Sequence, residues 1–266
     1  MLSQSQIDTA AADLLRAEAE RTQIGLLSLR HPEMTLDDAY AIQAAQMVQK
    51  RAQGRRIIGW KIGLTSKIMQ AALGIETPDS GVLYDDMAFE SGETVPAGRF
   101  IQPRVEAEIA FVMKAPLEDE VTREAVLAAT DYVTPALEIL DTRILRSDPA
   151  TGVARIICDT VSDNAANAGI VLGAARHDPQ AVDLRWTGAI VSKNGAVEAT
   201  GLGAAVLNDP VTGIVWLARR MGQYGQRIEA GQVILSGSFI APIECPARTA
   251  IAADFGPFGQ VAIDFE

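Results

Sequence analysis

Residues 102–113, QPRVEAEIAFVM, alternate with the period of two that a β-strand imposes, and the alternation puts Arg104, Glu106 and Glu108 on one face. Val105, Ala107, Ile109 and Phe111 make the opposite, wholly apolar face. The Cα atoms of Glu106 and Glu108 lie about 7 Å apart at the usual strand rise. Like charges that close repel unless water screens them or a cation lies between them. Water would suffice for a solvent-facing strand, but Ala110 and Val112 continue the acidic face as apolar, which predicts that at least one end is covered. Alternation alone leaves both arrangements open.

A second apolar run, residues 133–141, carries Glu138 between Ala136 and Leu140 on its own face. An ionised glutamate there is costly unless it is paired or bound to a metal. Three carboxylates without a neighbouring His or Cys suit a hard, oxygen-seeking dication, Mg2+ or Mn2+ rather than zinc. A structural salt bridge from Glu138 to Arg143 or Arg104 would serve equally well. Lys61 is a second candidate, because residues 55–64 alternate as a strand in which Gly59 and Gly63 flank it on its own face. Either the glycines leave room for a small molecule beside an acid/base or anion-binding lysine, or Lys61 is a surface residue of an edge strand. The polar stretch 159–167, DTVSDNAAN, fits a satisfied turn network or a pocket lining.

Other features narrow the class. The 266 residues carry 34 Asp+Glu against 23 Lys+Arg, a net charge of -11, which disfavours nucleic-acid backbones and anionic lipid as partners. Apolar runs are too short to span a bilayer, and no secretory signal is visible, so a cytoplasmic location is expected. Cys158 and Cys245 are expected to be small buried hydrophobes, and Trp60, Trp186 and Trp216 core residues. The two histidines, His31 and His177, lie in loop contexts and give little support to a Ser/His/Asp triad or a His-based zinc site.

Helices are predicted over residues 5–19 with Ser5 as cap, over 36–51 with Thr35 as cap and Gly54 as stop, from Thr65 to about Gly74, over 122–132, and from Asp209–Pro210 onward. Residues 78–81 are expected to turn. Strands are expected over 100–113 (the longest), 133–141, 190–198 with an Asn194-Gly195 hairpin, 231–239 and 260–265. The fold class is α+β: a helical N-terminal portion, residues 1–81 with the Lys61 strand, packed on a β-rich C-terminal core, residues 82–266.

The motifs GWKIGLTSK (59–67), PDSGVL (78–83) with DDM (85–87), PRVEAE (103–108), PALE (135–138) and DTVSDNA (159–165) resemble, in order over nearly the whole chain, the hydratase and decarboxylase branch of the fumarylacetoacetate hydrolase superfamily. Gln23-Ile24, Ser28-Leu29, residues 162–169 and Gly237-Ser238-Phe239 are most similar to its hydratases of seven-carbon dioates. The resemblance implies a fumarylacetoacetase-like core and Mg2+ held by Glu106, Glu108 and Glu138. It places Lys61 and Asp79 beside the ion as acid/base groups, with Ser162, Gly237 and Ser238 near a small unsaturated 2-oxo acid substrate. Arg104 is a further candidate for a substrate carboxylate. Homo-oligomers, commonly ring-like, are implied too. The decarboxylases and five-carbon hydratases of the branch share these motifs. Acylpyruvate-type C–C hydrolases on the same scaffold typically use a His/Glu pair, and no His lies near Lys61 or Asp79.

Overall fold

The computed structural model describes residues 1–67, 70–71, 75, 77–117 and 121–266. Three helices open the chain: α1 (Gln4–Glu20), α2 (Leu27–Arg30) and α3 (Leu36–Ala52). Ser3, not Ser5, caps α1, because Gln6 three residues on returns a hydrogen bond to the Ser3 N–H at 2.9 Å and closes a capping box. Thr35 caps α3 as expected, in a box with Asp38, and Gly54 follows it at φ +89°. The inward faces of these helices, including Ile7, Leu14, Leu27 and Ile42, form a core of their own with Ile144 and Val161.

The strands are β1 (Ile57–Gly63), β2 (Asp79–Tyr84), β3 (Ala88–Glu90), β4 (Thr94–Val95), β5 (Arg104–Met113), β6 (Thr130–Leu140), β7 (Asn167–Leu172), β8 (Gly188–Lys193), β9 (Ala196–Leu202), β10 (Val233–Leu235), β11 (Ile243–Glu244), β12 (Thr249–Asp254) and β13 (Gln260–Phe265). Helices α4 (Arg123–Ala129), α5 (Ile157–Ser162) and α6 (Pro210–Gln223) lie between them. One sheet has the order β2-β1-β10-β5-β6-β7-β3, with β11 added to β5; the other runs β4-β13-β12-β8-β9. The apolar face of β5 fills the main core with Ile251, Ile263 and Phe258 beside the second sheet and Ile214 and Leu217 of α6. On the acidic face, Ala110 packs with Leu83, Ala136, Ile170 and Leu235. That face is therefore covered, and the fold is the helical-plus-β-rich α+β arrangement expected.

The first sheet curls until β2, at one edge, touches β7. Asn164 clasps the gap: its Nδ2 donates to the Val82 carbonyl at 2.9 Å and its Oδ1 accepts from the Val82 N–H at 2.8 Å. Gly81 is required here, because a Cβ would sit 2.5 Å from the Asn164 carbonyl oxygen.

Several expectations are corrected. Residues 79–81 form the start of β2 rather than a turn, since Asp79, Ser80 and Gly81 pair in register with Gly63, Ile62 and Lys61. The strand expected from residue 100 begins at Arg104, because the N–H groups of Ile101 and Gln102 go to the Asp141 carboxylate instead of a ladder. At 11 residues, β6 exceeds the 10 of β5. It begins at Thr130, so the helix predicted over 122–132 ends at Ala129, where the Thr130 hydroxyl donates to the Val126 carbonyl. The strand predicted over 231–239 is only β10, and β12 was not anticipated. Trp60 is buried, but Trp186 is 75% exposed and not a core residue. Both cysteines are buried and free. Asn194 (φ 53°) and Gly195 (φ 81°) make the expected hairpin, and Asp209 caps α6. Half of the residues of the helix predicted from Thr65 to about Gly74 lie outside the described residues, and the division at residue 81 lies within β2. Among the described residues, no helix is long and apolar enough to cross a membrane.

Arg143, in the loop after β6, ties the end of α5 to the start of β7. Its Nε lies 2.5 Å from Asp163 Oδ1, and its remaining N–H groups reach the carbonyls of Asp141, Asn167 and Asp163, all in a buried setting. Removing one partner of such a pair strands the other charge in the interior. Arg143→Met is expected to lower the unfolding free energy by about 3–5 kcal/mol in urea titration. A loss below about 1 kcal/mol, the scale of a surface pair, would show that the network does not brace the fold.

Candidate active site

Antiparallel pairing of β5 and β6 sets Glu106 directly opposite Glu138 and Glu108 opposite Ala136. The carboxylates of Glu106, Glu108 and Glu138 each bring an oxygen within 4.8 Å of the others, with Glu108 and Glu138 fully buried and Glu106 half-buried. Glu138 Oε1 accepts from Asn167 Nδ2 at 2.7 Å and pairs with Lys61 Nζ at 3.2 Å. The salt bridge left open in the sequence is thus with Lys61; Arg143 is committed to Asp163 and Arg104 to Glu244. Glu108 Oε2 accepts the Gly237 N–H at 2.7 Å. Gly237 has φ +118°, and a Cβ there would lie 2.3 Å from Thr65 Oγ1, so only glycine fits.

Lys61 is 3% exposed on β1, between Gly81 of β2 and Leu235 of β10, and so is not on a solvent-facing edge. Asp79 stands next to it: a Cβ at Gly63 would meet Asp79 Oδ1 at 2.2 Å and Lys61 Nζ at 3.0 Å. Glycine at 63 therefore makes the space in which these two groups sit. Gly59 has a different purpose, since a Cβ there would strike the Val233 carbonyl at 1.8 Å.

Four acidic side chains against one ammonium leave the site short of positive charge. Burial raises Glu106 first and the Glu138 charge raises it further, pushing it up to about 8 despite Lys61. Glu108 is held well above the usual carboxylate range by burial and by Glu138 and Glu106. Burial likewise raises Asp79, against the pull of Lys61. For Lys61, burial favours the neutral amine, but Glu138, Asp79, Glu106 and Glu108 outweigh it and hold the lysine charged. Lys61 is therefore the charged ammonium, a form that can give a proton or face an anion.

The buried oxygens Glu108 Oε1 and Glu138 Oε2 have no hydrogen-bond partner among the described residues. Unsatisfied buried carboxylate oxygens, grouped with a third carboxylate and free of N or S donors, are the donor set of a hard dication. The residues present fit Mg2+ or Mn2+.

Other expected residues fall differently. Ser162 is fully buried with a partnerless Oγ, while its carbonyl accepts from Gln46 Nε2 at 2.6 Å. The Ser238 hydroxyl is spent on its own turn, donating to the Ile240 carbonyl at 2.8 Å. Arg104 Nη2 reaches Glu244 Oε1 at 2.5 Å. The stretch 159–167 is mostly a satisfied network, with Asp159 accepting from Ser28 and Ile156. Asn167, which orients Glu138, was not singled out from sequence. Its signal was an amide opening a buried strand, NAGIVL.

No protein-family model matches the chain. It is 46% identical to 2-oxo-hept-4-ene-1,7-dioate hydratase of Escherichia coli over 256 residues, 96% of each chain. It is 40% identical to 2-keto-4-pentenoate hydratase of Paraburkholderia xenovorans over 266 residues, covering 100% of this chain and 97% of that one. The structure of 4-oxalocrotonate decarboxylase from Pseudomonas putida, complexed with magnesium and adipate, superimposes with a TM-score of 0.93 at 34% identity over 100% of this chain and 99% of that one. The chain belongs to the hydratase and decarboxylase branch of the fumarylacetoacetate hydrolase superfamily. Its N-terminal helices and curled β-rich core are the fold of that branch.

Below about 8 Glu106 holds a proton that a bound dication must displace, so binding releases protons and tightens as pH rises. Calorimetric titration with Mg2+ at about pH 7 in buffers of different ionisation heat is expected to report net proton release. Glu138→Gln should abolish the rise in melting temperature that Mg2+ gives the parent protein. No proton release, or a melting temperature indifferent to Mg2+, would remove the ion from the site.

Proposed function

We propose that the chain is a divalent-cation-dependent hydratase of aromatic-compound catabolism that adds water to a 2-hydroxy-2,4-dienoate, the seven-carbon 1,7-dioate being its substrate, and yields a 4-hydroxy-2-oxo acid. The observation that carries this reading is the convergence of Glu106, Glu108 and Glu138 with Lys61 and Asp79 on one covered sheet face. Similarity to the Escherichia coli hydratase supports the seven-carbon substrate.

Glu106, Glu108 and Glu138 would hold Mg2+ or Mn2+. When bound, the ion supplies Lewis-acid stabilisation of the negative charge that develops on an enolised 2-oxo acid. Lys61, kept charged by its carboxylate neighbours, gives a proton to C5 and recovers one from the C2 hydroxyl, which leaves a 2-oxo-3-ene. Asp79, whose basicity burial has raised, takes a proton from the water that attacks C4 and returns it at C3. Both groups end in their starting states, and the sum is one water added. Gly237 fixes the Glu108 carboxylate through its N–H, and the free hydroxyl of Ser162 contributes a polar contact to substrate. Arg104, at the outer end of the same strand face, keeps its Nε without an acceptor among the described residues while Nη2 pairs with Glu244, and that Nε binds a substrate carboxylate.

A decarboxylase is the second reading, favoured by the near-complete superposition on 4-oxalocrotonate decarboxylase. Loss of CO2 also leaves a dienolate that a cation and Lys61 would stabilise. Identifying products by mass and measuring CO2 with the Mg2+-loaded protein on five- and seven-carbon dienoates separates the two. Water addition without CO2 is expected, and CO2 release would overturn the hydratase reading.

Lys61→Ala should lower kcat by about 10²-fold or more, since a positioned proton donor is worth that much. A change confined to KM would make Lys61 a binding residue instead.

A further inference from the structure

The proposed chemistry occupies one end of a dioate and leaves its other carboxylate to be placed. On β5 the face that carries Glu108 and Glu106 continues outward to Arg104, each step of two residues covering about 7 Å, close to the length of an extended seven-carbon chain. Beyond Arg104 opens a groove of about 560 Å³ whose walls include Arg99, Arg146 and Glu244.

Arg146 and Arg155 stand together at the base of one hairpin loop. The Arg155 N–H donates to the Arg146 carbonyl at 2.9 Å, Ser147 pairs with Ala154, and at the tip Asp148 accepts from the backbone of Ala150 and Thr151. Arg155 immediately precedes Ile156, the cap of α5, and α5 ends at Ser162 with its partnerless hydroxyl. Arg155 is only partly exposed, and its main-chain bond to Arg146 seats it beside the groove that Arg104 and Arg146 line.

Three guanidinium N–H groups in this corner are buried without an acceptor among the described residues: Arg155 Nη1, Arg104 Nε and Arg146 Nε. Each such orphan is destabilising relative to a paired donor. Three together imply an acceptor that arrives from outside the chain, and a carboxylate with two oxygens matches the guanidinium fork.

We propose that Arg155, with Arg104 beside it, binds the distal carboxylate of a dicarboxylate substrate and thereby selects the dioate over a five-carbon monocarboxylate. This rests on the hydratase reading for the position of the reacting end, and it adds the residue that sets substrate class.

The test uses saturated analogues that cannot be hydrated. Calorimetry on the Mg2+-loaded protein compares 2-oxoheptanedioate with 2-oxopentanoate, before and after Arg155→Gln. The ratio of their affinities is expected to fall at least about tenfold in the variant, most of it through weaker dioate binding. With the seven-carbon dienoate, the same substitution should raise KM far more than it lowers kcat. Equal weakening of both analogues, or of neither, overturns the proposal. Should Arg155→Gln lower the melting temperature, Arg155→Lys carries the test: it keeps the charge, loses the two-pronged geometry, and must still reduce the dioate preference, an unchanged preference being a refutation. Failure of the hydratase reading is seen separately, as absence of hydration of either dienoate by the parent protein while the analogue affinities can still be compared.

Discussion

A buried excess of negative charge is the constraint around which this molecule is arranged. Glu106 and Glu138 face each other across two paired strands, Glu108 follows on the same face, and Asp79 closes in from β2. The compensating groups come from distant parts of the chain: Lys61 from β1, the Gly237 N–H from the loop after β10, the Asn167 amide from the start of β7. In a flat sheet of this strand order, β1 and β6 would lie three strand spacings apart, about 14 Å. Lys61 nevertheless meets Glu138 at 3.2 Å. Curling of the sheet, together with two long side chains reaching inward over Ala110 and Ala136, closes that distance. The small residues under the acidic face are thus part of the site, since bulk at 110 or 136 would fill the hollow the charges share.

The helices hold this hollow from behind. Gln43 of α3 donates to the carbonyls of Ser80 and Val161, and Gln46 to that of Ser162. Amides on one helix therefore tie β2 and α5 to each other, and with them Asp79 and Ser162. Because Gln46 takes the Ser162 carbonyl and leaves its hydroxyl alone, bracing and a free polar group are supplied by the same residue. Arg143 and Asp163 add a buried ionic link between the end of α5 and the loop after β6.

Much of this was legible because alternation is a local signal. The period of two in β5 put Glu106 and Glu108 on one face, the apolar flanks of Glu138 marked it as buried, and Thr35, Asp209 and Asn194-Gly195 announced their caps and turn through chemistry within four residues. What stayed hidden depends on contacts far apart in sequence. Pro78 and Gly81 look like turn punctuation, yet Gly81 is there because the Asn164 backbone approaches it, and residues 79–81 are strand. Trp186 carries no local mark of exposure. Asn167 looks like any polar residue of its stretch until Glu138 is placed beside it. The charge state of Lys61 could not be settled from its flanking glycines, because four carboxylates from three other strands determine it.

The same charge imbalance bears on how the anionic substrate of the proposed reaction would enter a protein of net charge -11. Long-range repulsion is screened within about 8–10 Å at physiological ionic strength, so the net charge matters less than the potential at the mouth. On the proposed path of entry, Arg99, Arg104 and Arg146 outnumber Glu244 and Glu266 along the groove, with Arg155 beside it, while the carboxylates lie elsewhere on the covered sheet face, pinned in part by Lys61. Positive charge at the rim over buried negative charge gives a field that draws an anion inward and then opposes it unless a cation waits at the bottom. A hard dication under the rim reverses only the last part of that path. In the proposed reaction, entry and retention of substrate would thus fall to different groups, the arginines outside and the glutamate trio within.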